Sequence, residues 1–275
     1  MSAAHARPPA RRRYGQHHLV DRGTLGAILA MAKVRPDDVV LEVGAADGLL
    51  TAHLVEQARF VHAFEIDTRF AEGLDRLAAG RDDLHLYLVD GLRYRLADLE
   101  PPPTAVVANL AYNIAVPLLM RTIAGLPSVQ RWAVMLQREL AERLFAKPRT
   151  KAYSAVSVLV QLSCELEAQR AVPRTVFAPP PRVDSVFVTF TRSRLVPADE
   201  AAVLETLVRT SFGQRRKQIV NSLSGAAAPG AAALSRPDVL RALAALRLPD
   251  TTRPEELAPP IFVALARELG WLAAA

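Results

Sequence analysis

From residue 39 onward, short continuous apolar runs alternate with stretches whose apolar positions recur every three or four residues. VVLEVG at 39–44 predicts a buried strand, followed by a helix beginning near Gly48. FVHAFEI at 60–66 is the second predicted strand. The helix expected after it, over 68–79, places Phe70, Leu74 and Leu77 on one face. LHLYLV at 84–89 and TAVVANL at 104–110 supply the third and fourth strands, separated by a polar, proline-marked segment at 97–103. A helical stretch over 114–124 precedes a strand at 131–137, RWAVMLQ. Strands alternating with helices predict an α/β fold with a parallel, doubly wound sheet. Two later runs, SAVSVLVQLSCELEAQ (154–169) and VDSVFVTFTR (183–192), have no helix between them and are predicted as strands added at one edge. The second alternates cleanly at Val183, Ser185, Phe187 and Thr189.

Strand character ends near Arg194, and after LVPADE (195–200) the chain is Ala/Leu-rich with helical period, interrupted by GAAAPGAAA at 225–233. The expected organisation is a basic, flexible arm at 1–13, an α/β domain at 14–195 and a small all-helical domain at 196–275. Of the 275 residues 51% are apolar and 23% charged, which supports a large core and excludes disorder as the dominant state. Apolar stretches fall far short of the roughly 18 residues a membrane span needs, so no membrane partner is expected. The opening MSAAHARPPARRRY is arginine-rich with no apolar centre, unlike a secretory signal. The single cysteine, Cys164, cannot form an internal disulfide, and the expected compartment is a reducing cytoplasm. A formal net charge of +6 suits a polyanionic partner without requiring one. Nothing in the pattern calls for an oligomer, and a monomer is expected.

In an open parallel sheet, ligands bind beyond the carboxyl ends of the strands, where strand order reverses. Four of these ends carry candidate chemistry. The first is Glu42-Val43-Gly44-Ala45-Ala46-Asp47-Gly48, whose glycines permit a tight turn and close approach of a ligand to the backbone. The same turn also serves any closely packed strand–helix unit. The second strand ends in Glu65-Ile66-Asp67; an acidic side chain there can accept both ribose hydroxyls of a nucleotide-like cofactor, while Asp67 also suits a helix N-cap. At the third, Asp90 can accept from an exocyclic amine or simply brace a turn. The fourth strand ends in Asn109-Leu110-Ala111-Tyr112-Asn113. An Asn side-chain oxygen and a neighbouring backbone carbonyl can together orient an amine's lone pair, and Tyr112 offers a face for an unstacked base. A polar loop with a packing tyrosine is the plainer alternative.

Other chemistries find little support. The six histidines and one cysteine show no zinc spacing and no HExxH, so no metal is expected. GxxxxGK[ST] and GxSxG are absent, and the first glycine turn lacks the third glycine of a dinucleotide fingerprint.

Six blocks in order resemble the ribosomal RNA adenine N6-dimethyltransferases, in particular the small-subunit dimethyladenosine transferases. RRRYGQHHLVD (11–21) is similar to their basic segment ending in Gly-Gln-Asn-Phe-Leu, and LEVGAADGLLT (41–51) to their Glu-Ile-Gly-Pro-Gly-x-Gly-x-Leu-Thr loop. Asn109-Leu110-Ala111-Tyr112-Asn113-Ile114 resembles their Asn-Leu-Pro-Tyr-Asn-Ile loop. MLQRELAERLFAKPRTKAYSAVSVLVQ (135–161), VFAPPPRVDSVFV (176–188) and FGQRRKQIVNSL (212–223) complete the set.

The resemblance implies a Rossmann-like class I methyltransferase sheet, S-adenosylmethionine as methyl donor, and rRNA of a ribosomal subunit as substrate. Two adjacent adenosines near the 3′ end of small-subunit rRNA would each be methylated twice during ribosome biogenesis. It further implies that the Gly44 loop passes the methionine end of the donor, that Glu65 holds its ribose, that Asp90 bonds its adenine amine, and that His17 and Leu19 close over it. Asn109, beside the donor, and the Leu110 carbonyl would bind the target N6. Tyr112 and Phe177 would sandwich the flipped base. Arg11, Arg12, Arg13, Arg215, Arg216 and Lys217 would contact RNA phosphates. Three positions depart from the family pattern: His17 stands for Asn, Ala45-Ala46 for Pro-Gly, and Ala111 for Pro. Two other readings stay in view. One is a large-subunit adenine methyltransferase conferring macrolide resistance, against which FGQRRKQIVNSL speaks; the other is a ribosome-assembly factor that has lost catalysis.

Overall fold

The computed structural model describes residues 8–11, 14–193, 200–214, 217–228 and 232–273. Most of the 1–13 arm, including Arg12 and Arg13, lies outside them, as do Arg215 and Arg216. In chain order the elements are β1 (His18–Leu19), α1 (Arg22–Ala32), β2 (Val39–Val43), α2 (Leu49–Leu54), β3 (Phe60–Phe64), α3 (Ala71–Ala78), β4 (Leu84–Tyr87), β5 (Ala105–Asn109), α4 (Ala115–Gly125) and β6 (Arg131–Gln137). There follow α5 (Arg138–Leu144), α6 (Ala155–Gln161), β7 (Cys164–Val172), β8 (Phe177–Ala178), β9 (Ser185–Arg192), α7 (Ala201–Phe212), α8 (Ile219–Leu223), α9 (Arg236–Ala245) and α10 (Pro259–Glu268). They form two compact units, Met1–Ala141 with Leu166–Arg192, and Glu142–Glu165 with Ser193–Ala275. The chain therefore divides differently from the expected boundary near 195: the segment 142–165 belongs with the helices that follow.

The first unit is an α/β fold around a seven-stranded sheet in the order β4-β3-β2-β5-β6-β9-β7. β4, β3, β2, β5 and β6 pair in parallel, whereas β9 runs antiparallel to β6. Strand order reverses between β2 and β5, so the loops after Val43 and Asn109 face each other beyond the sheet's carboxyl edge. β2 is buried along its whole length, which is why its sequence is nearly all apolar rather than alternating. At the opposite end Asp38 accepts hydrogen bonds from Thr104 Oγ1 (3.0 Å) and the Arg131 guanidinium, tying together the starts of β2, β5 and β6. β9 does not show the expected one-faced alternation: Ser185 through Phe190 are all buried, because β9 lies inside the sheet between β6 and β7.

In the second unit, residues 155–161 form helix α6, so only the end of the strand expected over 154–169, from Cys164 on, is realised, as part of β7. Ser154 is extended (φ −158°, ψ 175°) and its N–H donates to Ser157 Oγ at 3.0 Å, an N-terminal cap that starts the helix. Gln161 Nε2 then donates to the carbonyls of Leu144 and Ala146 (3.1 and 2.9 Å), fixing the far end. Tertiary contacts thus override the β-preference of valine. Tyr153 is fully buried, donates to the Leu257 carbonyl at 2.7 Å, and meets Phe212, which stacks on Phe262.

Candidate active site

A cavity of about 310 Å³ opens at the switch point of the first unit, within the range of cofactor sites. The loop after β2 forms its floor. Gly44 and Ala45 N–H both donate to the Phe64 carbonyl (2.8 and 3.0 Å), which draws the loop towards β3. Gly44 adopts φ +91°, a conformation glycine reaches without strain, and Ala46 adopts φ +50°. A left-handed alanine costs on the order of 1 kcal/mol, and Glu65 holds it there: Oε2 accepts the Ala46 N–H at 2.8 Å.

Glu65 is 5% exposed, and its other oxygen accepts the Asp67 N–H at 2.7 Å. Burial pushes its carboxyl pKa up, with the nearby Asp67 charge acting in the same direction. These bonds leave acceptor capacity on a carboxylate that offers roughly four directions, and the group lines the cavity. Asp67 does serve as an N-cap, accepting from Arg69 N at 3.3 Å, but it does more. It is buried, and the Arg69 guanidinium beside it holds its carboxyl well below the usual range. It also accepts from Gln16 Nε2 at 3.2 Å and faces Arg11 Nη1 at 3.7 Å.

Gln16 belongs to a strap that crosses the cavity: Tyr14, Gly15, Gln16, His17 and His18 all line it. Gln16 Oε1 accepts the Arg11 N–H at 2.8 Å, and Arg69 Nη1 reaches the Pro9 carbonyl at 3.1 Å. Arg11 is therefore engaged with Asp67 rather than standing off as part of a loose arm. Beyond the strap, β1 pairs antiparallel with β8, setting Leu19 opposite Phe177.

The opposite wall is the loop after β5. Asn109 Nδ2 donates to the His17 carbonyl at 3.2 Å, which fixes the amide's orientation because that carbonyl can only accept. Among the described residues nothing donates to Asn109 Oδ1, and the residue borders the cavity. Tyr112 shares a hydrogen bond of 2.8 Å with Ser185 Oγ, and its ring lies 5.4 Å from that of His17. Burial raises the Tyr112 pKa, so the phenol stays neutral. Asp90 closes the third side, its Oδ1 accepting Leu92 N–H at 2.9 Å.

The structure thus gathers His17, Gly44, Glu65, Asp90, Asn109, Leu110 and Tyr112 around one cavity. Leu19 lines an adjoining pocket of about 50 Å³ with Glu42 and Asn109. Phe177, opposite Leu19 in the β1–β8 pair, is 4% exposed, packs in the core cluster and is not among the residues lining the cavity; the ring beside Tyr112 is that of His17. Lys217, in the second unit, is exposed. Sequence reasoning missed the Gln16–Asp67 link and Ser185; the separation of 51 positions in the first leaves no local signal. It named Glu42 only as the start of the first loop, with no role of its own; the side chain is buried and accepts from Thr51 Oγ1 at 2.7 Å. Burial, then the charges of Glu65 and Asp47, push its pKa up to about 8.

The cavity's electrostatics discriminate between ligands. Glu65 and Asp90 line it, and among the described residues no Lys or Arg does. That suits a cofactor with cationic character and an adenosine half, and disfavours a phosphate-bearing dinucleotide. Glu65, just past β3, and Asp90, after β4, both line the cavity at the carboxyl edge of the sheet.

The family model described as ribosomal RNA adenine dimethylase matches residues 8–243. A ribosomal RNA small subunit methyltransferase A of Rubrobacter xylanophilus is 41% identical over 262 residues, covering 95% of this chain and 96% of that one. Among solved structures, a dimethyladenosine transferase from Plasmodium falciparum superposes with a TM-score of 0.75 at 28% identity, covering 92% of this chain and 98% of that one. The 23S rRNA methyltransferase ErmE does so with a TM-score of 0.67 at 27% identity, covering 92% and 99%.

Proposed function

The chain belongs to the ribosomal RNA adenine dimethylase family, and from that premise we propose that it dimethylates N6 of adenosines in small-subunit rRNA. The observation that carries the reading is Asn109 Oδ1, an acceptor on a residue that lines the same cavity as Tyr112 and Glu65. S-adenosylmethionine, the donor of this family, supplies a methyl group on a positively charged sulfur. The residues expected to hold it are Glu65, at the ribose, and Asp90, at the adenine amine, with the Gly44 loop beneath and His17 and Leu19 beside it.

An adenine amine that donates its two hydrogens to Asn109 Oδ1 and the Leu110 carbonyl loses its planar conjugation in part and presents its lone pair to the cavity. The same two acceptors would stabilise the positive charge that develops on nitrogen as its lone pair takes the methyl and the S–CH3 bond breaks to leave a neutral thioether, after which one N–H proton would pass to solvent. Tyr112 supplies the stacking face that holds the base outside the helix, and its neutral hydroxyl, tied to Ser185, fixes the ring plane. Lys217, with Arg12, Arg13, Arg215 and Arg216, supplies positive charge for RNA phosphates, and Arg11, 3.7 Å from Asp67 but 41% exposed, adds to it.

The small subunit is favoured over the large one by the curated relatives, named for the small subunit at 34–42% identity. A monomer suffices for this chemistry, since every residue invoked at the cavity comes from one chain. Methyl transfer to small ribosomal subunits lacking the modification, read by nucleoside mass spectrometry, is the test. Dimethyladenosine in small-subunit rRNA is expected; modification of large-subunit rRNA alone, or none, overturns the reading.

A further inference from the structure

We propose that Arg121 is a positioning residue for the donor site: reaching out from α4, its guanidinium holds the 90–94 turn against the helix that follows the Asn109 loop. Nη1 donates to the carbonyls of Gly91 (3.1 Å) and Leu92, and Nη2 to that of Tyr94 (2.7 Å). Arg121 is half-buried, and among the described residues no carboxylate pairs with it. A half-buried cation is costly unless hydrogen-bonded. Ending that cation on three successive-turn carbonyls turns its rigid fork into a brace for backbone.

The turn presents those carbonyls for a physical reason. The Asp90 carbonyl accepts the N–H groups of Arg93 (2.9 Å) and Tyr94 (3.1 Å), and Asp90 Oδ1 accepts that of Leu92. The result is one short helical turn whose last carbonyls have no partner within the turn and carry partial negative charge. Arg121 complements them. From the sheet side the turn is equally confined. A side chain at Gly91 would begin 3.1 Å from Val43 Cγ1. The Tyr94 ring meets Phe64 edge-on at 5.3 Å.

Asp90, Gly91 and Leu92 line the cavity, and so does Ile114, immediately before α4. One side chain therefore ties the wall that faces the donor's base to the element that carries the methyl-accepting loop. The inference rests on the donor-site reading above, and the experiment keeps the two apart.

The experiment is calorimetric titration of S-adenosylmethionine into Arg121→Ala and Arg121→Lys, with steady-state methylation alongside. Arg121→Ala is expected to raise the donor Kd about tenfold or more while kcat at saturating donor stays within about twofold. Arg121→Lys keeps the cation but spans fewer of the three carbonyls, and is expected to fall between. A donor analogue with hypoxanthine in place of adenine lacks the amine that Asp90 accepts, so the preference for adenine is expected to narrow in both variants. Unchanged donor affinity overturns the proposal. So does a parallel loss of kcat and thermal stability with the adenine preference intact, which marks a merely structural arginine. If Arg121→Ala does not fold, Arg121→Lys decides by the same criteria. Asp90→Asn is the separate arm: if it leaves the adenine preference unaltered, the reading of Asp90 fails while the affinity result on Arg121 still stands.

Discussion

The side-chain amide of Asn109 donates to the backbone carbonyl of His17, 3.2 Å away. A residue at the end of β5 thereby holds the strap that crosses the cavity, and the strap in turn fixes which atom of Asn109 faces inward. Pinning of this kind makes position 17 a backbone contact first. It accommodates His in place of the Asn of the family-like motif noted in the sequence, because the bond uses the carbonyl and not the side chain. The ring is placed instead by Nδ1, 2.8 Å from the Pro179 carbonyl.

Asp67 anchors the other end of the strap through Gln16 and Arg11. Asp67→Asn removes the charge that these groups and Arg69 share, and is expected to raise the donor Kd several-fold. Its stability effect has a defined sign. The folded-state pKa of Asp67 is depressed, so the contribution is present above the ordinary aspartate range and is lost as pH falls through the folded value. Thermal melts of the two proteins should differ at neutral pH and converge in acid. A constant offset at all pH values contradicts the assignment.

Glu42 behaves in the opposite sense. Its folded pKa of about 8 lies above the ordinary value of 4.5, so a proton is retained on folding. The contribution is fully present below pH 4.5 and is lost as pH rises from there through about 8. Glu42→Gln keeps an acceptor for Thr51 Oγ1 without the titration. Denaturant midpoints should show the variant gaining on the parent chain across that window, and parallel pH curves would contradict this.

Tyr112 separates a ring role from a hydroxyl role. Tyr112→Phe keeps the face but leaves the buried Ser185 hydroxyl without its phenol partner, costing about 1 kcal/mol of stability with activity largely retained. Tyr112→Ala loses the stacking surface and is expected to lower kcat/KM for RNA about tenfold to a hundredfold at unchanged donor affinity. Equal loss in both variants points to the hydroxyl instead.

The strands that build the site are legible because they are largely buried on both faces, which favours the predominantly apolar runs at 39–43, 60–64 and 105–109. Their carboxyl ends, together with that of the shorter run at 84–87, locate Gly44, Glu65, Asn109 and Asp90 without any three-dimensional information. Legibility fails where tertiary packing decides. Ala155–Gln161 is valine-rich and helical because Ser154 caps it and Gln161 binds the preceding helix end. Phe177 sits in a family-like block, yet the pairing of β8 with β1 turns it into the core. Arg121 looks like any helix-surface arginine until the carbonyls it meets, 27 to 30 positions earlier in the chain, are in view.

The most direct test of the chemistry assigned here is Asn109→Ala, measured for methyl transfer to unmethylated small ribosomal subunits and for S-adenosylmethionine binding on the same preparation. Removing the side-chain acceptor takes away one of the two groups that orient the amine. The expected result is loss of dimethyladenosine by about a hundredfold or more at saturating donor, with donor Kd raised only several-fold as the strap loses its contact with Asn109. Methylation that persists at near-parental rates in Asn109→Ala contradicts the assignment.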